Sequence, residues 1–254
     1  MDPAGKVAVV TGGNSGLGEA AALRLAAAGA TGVTLARGGS APGGLATIAC
    51  DVSDDRSVAD AVAQAVDRFG RIDILLNNAG IGGIGPIATP AGPGDLAQFR
   101  AVIEVNLLGA TSVAAHVAHR MIGNEPSGPD GERGVIVNTC SIASFGGQEG
   151  MGAYAAAKSA LAALTLVWAR DLSQHNIRVM GIAPGFMATP MVSFLPESLV
   201  AELLKDAEFP KRAGRAEEFA ELAEFIIRTP LMNGDVIRLD AGTRPPARTQ
   251  WSTS

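Results

Sequence analysis

The 254-residue sequence predicts an α/β fold: a doubly wound, parallel seven-stranded sheet forming one domain over 1–254. Three observations carry this. Strand-length apolar runs alternate with helix-length amphipathic stretches along the chain. The strands are apolar on both faces, which requires a parallel sheet with helices on both sides. A length of 254 residues also suits one α/β sheet.

The alternation opens with a strand at Val7–Val10, a helix from Gly16 to Ala28 and a strand at Val33–Ala36. Arg37 to Leu45 is too short and too Gly-rich for a crossover helix, so irregular coil or a single turn is expected there. Next come a strand at Thr47–Cys50, a helix at Ser57–Phe69, a strand at Ile72–Leu76 and a long helix at Leu96–Met121. A strand at Val135–Val137, a helix at Gly152–Leu172 and a strand at Ile177–Ile182 follow, then a helix at Glu217–Ile227 and a strand at Val236–Leu239. The tail from Arg244 to Ser254 is polar and contains proline, the composition of a mobile end.

With 47% apolar and 18% charged residues, the composition is that of a soluble globular protein. Twenty basic against 25 acidic residues give a net charge of −5, with no basic stripe for nucleic acid or anionic lipid. No segment reads as a leader or as the run of about 18 apolar residues that a membrane span needs. The expectation is a cytoplasmic protein without nucleic-acid or membrane partners. Cys50 and Cys140 lie far apart, and His116, His119 and His175 complete no ligand set, so no metal is expected and the thiols should be buried and reduced.

Chemistry is sought in the loops leaving the strands, because open α/β sheets bind ligands outside the carboxyl ends of their strands. After the first strand stands Thr11-Gly12-Gly13-Asn14-Ser15-Gly16-Leu17-Gly18. Its glycines let the backbone approach a pyrophosphate, and the helix beginning near Gly16 offers unpaired amides and a positive dipole end. Such a turn is also a simple strand-to-helix connection, and its place in a βαβ unit favours a Rossmann-like dinucleotide site.

The single tyrosine, Tyr154, lies four residues before Lys158 on one helix face, with Ser141 thirteen residues upstream. A phenol near pKa 10 is a poor base at neutral pH, and an adjacent ammonium brings it towards the working range. The Ser141 hydroxyl can hold and polarise a substrate oxygen. Alone, a Tyr-x-x-x-Lys pair reads better as an amphipathic helix with Tyr154 half-buried and Lys158 solvated.

Together, the Gly-x-x-x-Gly-x-Gly turn, Asn77-Asn78-Ala79-Gly80 and the Ser141, Tyr154, Lys158 set resemble the short-chain dehydrogenase/reductase superfamily over nearly the whole chain. The resemblance implies hydride transfer between a nicotinamide and a secondary alcohol or ketone. It implies catalytic roles for Asn106, Ser141, Tyr154 and Lys158, with Asn106 holding a water that links Lys158 to solvent. It places the cofactor against Gly12, Asn14, Ser15, Gly16, Leu17 and Gly18, with Asn78, Ala79 and Gly80 at the adenosine ribose and Asp51 and Val52 at adenine. Tyr154, Lys158, Pro184, Gly185 and Thr189 would complete its nicotinamide end. Asn124-Glu125-Pro126, Arg170-Asp171-Leu172 and Asn233 to Asp240 further resemble the type-2 3-hydroxyacyl-CoA dehydrogenase branch, which oxidises 3-hydroxyacyl-CoA and accepts steroid and other secondary alcohols.

Two features depart from that branch: the second crossover has no helix, and no acidic residue ends the second strand. Folds that use NAD place Asp or Glu there, to accept the ribose hydroxyls and repel a 2′-phosphate. Here it is Ala36, followed by Arg37, whose guanidinium suits a phosphate, so NADP(H) is expected, with NAD(H) the alternative that the branch implies. The apolar stretch from Met187 to Pro210 reads either as a lid over a hydrophobic substrate or as a helix covering the sheet. Phe186 and Met191 are its candidate substrate contacts, and Gln148 is expected to face the substrate. The resemblance and the small residues Ala155, Ala156, Ala160 and Ala163 imply a homotetramer.

Overall fold

Val7 and Val9 enter one hydrophobic core while Ala8 and Val10 enter another, so the first strand alone demands cover on both faces. A computed structural model of the chain describes residues 1–38, 42–190 and 197–247. In chain order the elements are β1 (Val7–Thr11), α1 (Gly16–Ala27), β2 (Thr31–Ala36), β3 (Ala46–Ala49), α2 (Asp55–Phe69), β4 (Ile74–Asn77), β5 (Ala88–Thr89) and β6 (Gly92–Pro93). Then come α3 (Leu96–Ile103), α4 (Ala110–Ile122), β7 (Gly134–Thr139), α5 (Gly152–Ser173), β8 (Ile177–Pro184), α6 (Glu197–Leu204), α7 (Ala216–Arg228) and β9 (Val236–Leu239).

Seven strands form a parallel sheet in the order β3-β2-β1-β4-β7-β8-β9, as expected. The chain winds outward from β1 to β3, then returns to β1's other side at β4. That reversal opens a crevice beyond the ends of β1 and β4. α2, α4 and α5 cover the face of Val9 and Leu75, and α1 and α7 cover the face of Val10 and Leu76. α2 shows how sequence sets such a helix: the Asp54 side chain accepts from Arg56 N–H, Val58, Ala61, Val62 and Ala65 form its buried stripe, and Gly70 ends it at φ 81°.

The structure differs from the sequence expectations in several places. The second crossover is not one of them: among its described residues it holds a 3-10 turn at Pro42–Gly44, the single turn expected there. The fourth strand starts two residues late, because the buried Asp73 carboxylate accepts from Val7 N–H and pairs with Arg71. The long helix is interrupted by a π turn at Glu104–Gly109. A two-stranded hairpin, β5–β6, was not anticipated. The stretches 96–122 and Gly152–Ser173 match a membrane span by length and hydropathy, contrary to expectation, yet Val113, Val117, Leu161 and Ala169 bury them against the sheet. Of the Met187–Pro210 stretch, α6 is helical, and Met191 lies outside the described residues.

Candidate active site

The crevice divides into two clefts that share Gly12, Ser15, Ala79 and Gly80. One holds Asn14, Arg37, Asp51 and Val52, and the other holds Gly16, Leu17, Asn78, Ser141, Tyr154, Lys158, Pro184, Gly185, Phe186 and Thr189. The shared glycine turn fits a dinucleotide pyrophosphate. Ser15 caps α1 without a side-chain hydrogen bond, so the helix's leading amides are left to an anion. Gly18 does not line the cleft. A Cβ there would meet Gly12 O at 2.3 Å and Asn78 Nδ2 at 2.6 Å, so this glycine lets the turn seat on β4's end. Thr189 closes over Gly16, where an added Cβ would meet its Cβ at 3.4 Å.

Asn14 donates to the carbonyl of Gly38, tying the turn to the residue beside Arg37. Asp51 accepts from Ser53 N–H at 3.0 Å and from Ser53 Oγ at 2.6 Å. Those bonds, with Arg37's charge as a lesser cause, hold its carboxyl below the usual range, so the cleft presents one cation and one carboxylate. Asn78 is anchored rather than free: its N–H and that of Ala79 both donate to Thr11 Oγ at 2.9 Å.

Ser141 begins a 3-10 turn, Ile142–Ser144, directly after β7. Its Oγ accepts from Ala143 N–H at 3.2 Å, which leaves the hydroxyl proton to turn between the Tyr154 phenol oxygen and a substrate oxygen. The turn is fastened to α5 at Lys158 and at the residue after it: Ser144 Oγ donates to Lys158 O at 2.8 Å, and Ser159 Oγ donates to Ser144 O at 2.9 Å. Sequence reasoning passed over Ser144, although its place three residues after Ser141 is the one a capping-box partner takes. Ser159 and Thr139 carried no sequence signal.

Tyr154 is half-buried in the first turn of α5, and Lys158 is fully buried one turn on, its Nζ 5.9 Å from the phenol ring centre. Burial pushes the Tyr154 phenol up, and hydrogen bonding with Ser141 pulls it down. Burial also lowers Lys158 to about 8. The expected lowering of the phenol by Lys158 is therefore not the governing effect, which is burial. Cys140, pushed up to about 11 by burial, is a neutral thiol beside them. Asn106, buried in the π turn, clasps Ile81: Nδ2 donates to Ile81 O and Oδ1 accepts from Ile81 N–H, each at 2.8 Å. It meets Lys158 around Gly80, but both ends of its amide are engaged by Ile81.

Gln148 departs from expectation, since it reaches Pro246 O at 3.4 Å and is not among the cleft's lining residues. Among the described residues no cluster of His, Cys, Asp or Glu suits a metal, and Cys50 and Cys140 are buried and free.

The family model for short chain dehydrogenases matches residues 6–199. The chain belongs to the short chain dehydrogenase family. It is an oxidoreductase of that family, a nicotinamide enzyme that moves a hydride between cofactor and alcohol or ketone. It is 43% identical over 251 residues to human 3-hydroxyacyl-CoA dehydrogenase type-2, covering 94% of this chain and 95% of that one. It is 34% identical to levodione reductase of Leifsonia aquatica over 259 residues, covering 93% of each. The crystal structure of 3-hydroxyacyl-CoA dehydrogenase type-2 from Mycobacterium avium superposes with a TM-score of 0.88 at 36% identity, covering 96% of this dehydrogenase and 98% of that chain.

Proposed function

We propose that this dehydrogenase interconverts secondary alcohols and ketones attached to hydrophobic or acyl-thioester groups, with 3-hydroxyacyl-CoA the foremost substrate class. The observation that carries this is the convergence of the Ser141 hydroxyl, the Tyr154 phenol and the Lys158 ammonium on a cleft continuous with the glycine turn. The relatives named 3-hydroxyacyl-CoA dehydrogenase type-2 support the thioester, and levodione reductase supports a wider range of ketones.

The bound nicotinamide supplies or accepts the hydride. Ser141 donates a hydrogen bond to the substrate oxygen, and Tyr154 gives its hydroxyl proton to that oxygen in reduction or takes one in oxidation. Lys158 holds positive charge beside the phenol and, with the cofactor bound, steadies the ribose. Asn106 fixes the Gly80–Ile81 backbone against which Lys158 lies, and Phe186 contacts the substrate. Gly12 to Leu17 hold the pyrophosphate, Asn78 to Gly80 border the ribose, Asp51 and Val52 receive adenine, and Pro184, Gly185 and Thr189 flank the nicotinamide. NADP(H) is the proposed cofactor, because Arg37 lines the adenine-side cleft where an acidic residue would repel a 2′-phosphate.

The proposed assembly is a homotetramer. Leu166 and Val167 stand 42% and 46% exposed on α5, and Leu108 stands 50% exposed ahead of α4, apolar surface suited to another subunit. Two buried free thiols suit the reducing cytoplasm, the proposed location. The deciding experiment follows the nicotinamide absorbance with acetoacetyl-CoA, a 17-keto steroid and an aryl ketone. The thioester should give the highest kcat/KM, and failure of all three would overturn the reading.

A further inference from the structure

Phe145 closes the turn that Ser141 opens, donating its N–H to Ile142 O at 3.0 Å. Its ring is 52% exposed, so core packing does not fix it. What lies on it is the guanidinium of Arg238, 5.3 Å from the ring centre. Arg238 leaves β9 with little freedom. Its Nε and Nη2 reach Asp240 Oδ2 at 2.8 and 2.7 Å, and Nη2 also donates to Thr243 O at 3.0 Å. Asp240 in turn abuts the cofactor loop, where a Cβ on Gly185 would meet its Cα at 3.0 Å. One residue pair thus bridges the nicotinamide loop and the Ser141 turn from the solvent side, opposite the Ser144 and Ser159 bonds to α5.

We propose that Arg238 is a positioning residue for catalysis: its orientation fixed by Asp240 and its face stacked on Phe145, it sets where the Ser141 hydroxyl sits. An arginine suits this task because its rigid fork meets a carboxylate at its edge while its face covers a ring, which a lysine cannot do. The chain's later course adds a second tether, as Glu149 N–H donates to Ala247 O at 2.9 Å, so the whole 145–149 loop is held from the C-terminal side. A small displacement of an oxygen-binding group lowers rate more than affinity, so the effect belongs in kcat.

The inference rests on the role assigned to Ser141 above, and the test separates the two. With the panel ketone that turns over fastest, Arg238→Met and Phe145→Leu should each lower kcat about tenfold while cofactor Kd holds. Their combination should lose no more than either alone. Phe145→Trp should keep activity, and Arg238→Lys should not restore it. Tyr154 is faced by Ser141, Lys158 and the neutral Cys140. Losing the Ser141 hydrogen bond should therefore move the pH profile of alcohol oxidation to higher pH in both single variants, a change that general loosening would not produce. Unchanged kcat, additive losses, a fixed pH profile or a parallel loss of cofactor affinity would overturn the inference. If Ser141→Ala is inactive while Arg238→Met and Phe145→Leu are normal, only the inference fails. A fully active Ser141→Ala, or no turnover on any ketone, overturns both.

Discussion

Lys158 Nζ donates a 2.6 Å hydrogen bond to the carbonyl oxygen of Thr139, whose hydroxyl donates to Asn78 at 3.3 Å. The ammonium thus rests on the end of β7, buried and without a carboxylate partner among its described contacts, which explains why its pKa falls to about 8 from 10.5. The unfolded amine keeps the ordinary value, so between those two values the unfolded chain binds more protons and stability rises with pH. Below about 8 both forms are charged and the folded protein carries the full burial penalty.

Lys158→Met should therefore stabilise the ligand-free enzyme at pH 7 while abolishing turnover. The gap between the two pKa values corresponds to about 3 kcal/mol, from which the orphaned Thr139 carbonyl removes about 1–3 kcal/mol. A gain in Tm of about 2–4 °C is expected, shrinking as pH approaches 10. Thermal unfolding of both proteins at the two pH values checks this, and a lower Tm at pH 7 contradicts it.

Tyr154→Phe keeps the ring and removes the proton. Turnover should fall at least about 10²-fold with cofactor affinity nearly unchanged. Near-normal turnover would remove Tyr154 from the chemistry.

Gly18→Ala should weaken both fold and cofactor binding, because its Cβ would sit 2.3 Å from Gly12 O. Relief requires the turn to lift from Asn78, at a cost of about 1–3 kcal/mol. Urea unfolding and cofactor titration read the two effects, and a variant with wild-type values in both would show that the turn has slack.

Arg37→Ala tests the choice of cofactor. If the guanidinium grips a 2′-phosphate, the ratio of kcat/KM for NADPH over NADH should fall at least about tenfold, the scale of a charge-assisted contact. A wild type that prefers NADH, with a ratio that the substitution leaves unchanged, would assign the enzyme to NAD(H).

Arg178 is buried against Glu132 at 2.6 Å and donates to the carbonyls of Ile226, Ile227, Thr229 and Met232 around the end of α7. Arg178→Met leaves the buried Glu132 carboxylate only the Met1 ammonium, 3.1 Å from its other oxygen, and bares the end of α7. A loss of about 3 kcal/mol is expected in chemical unfolding, the low end for breaking a buried pair because one partner remains, and a loss under 1 kcal/mol would show that the Met1 ammonium suffices.

The strands, the glycine turn and the Tyr154–Lys158 pair were legible in the sequence because each rests on a local pattern. Apolar runs, glycine spacing and an i, i+4 pair need no knowledge of distant residues. The π turn was not legible, since Glu104–Gly109 lies in a stretch whose composition suits an α-helix throughout. The β5–β6 hairpin arises from Ala, Pro and Gly with no alternation to mark it. Gln148 was misplaced for a related reason. Its position in the chain between Ser141 and Tyr154 suggested the substrate, whereas a carbonyl 98 residues away, that of Pro246, holds its side chain.

The π turn also gives the helix between 96 and 122 an uneven tolerance of single-codon deletions. A π turn carries one residue more than the α-helical turn it replaces, so one residue fewer within Glu104–Gly109 would let the segment relax to a regular α-helix with Val102 on one side and Val113 and Val117 on the other still facing the core. What such a deletion disturbs is the wide turn itself, and with it the backbone that presents Asn106 to Ile81. A deletion after Gly109 meets no surplus residue, so it would turn Val113 and Val117 by about 100° relative to Asn106 and take them out of the core.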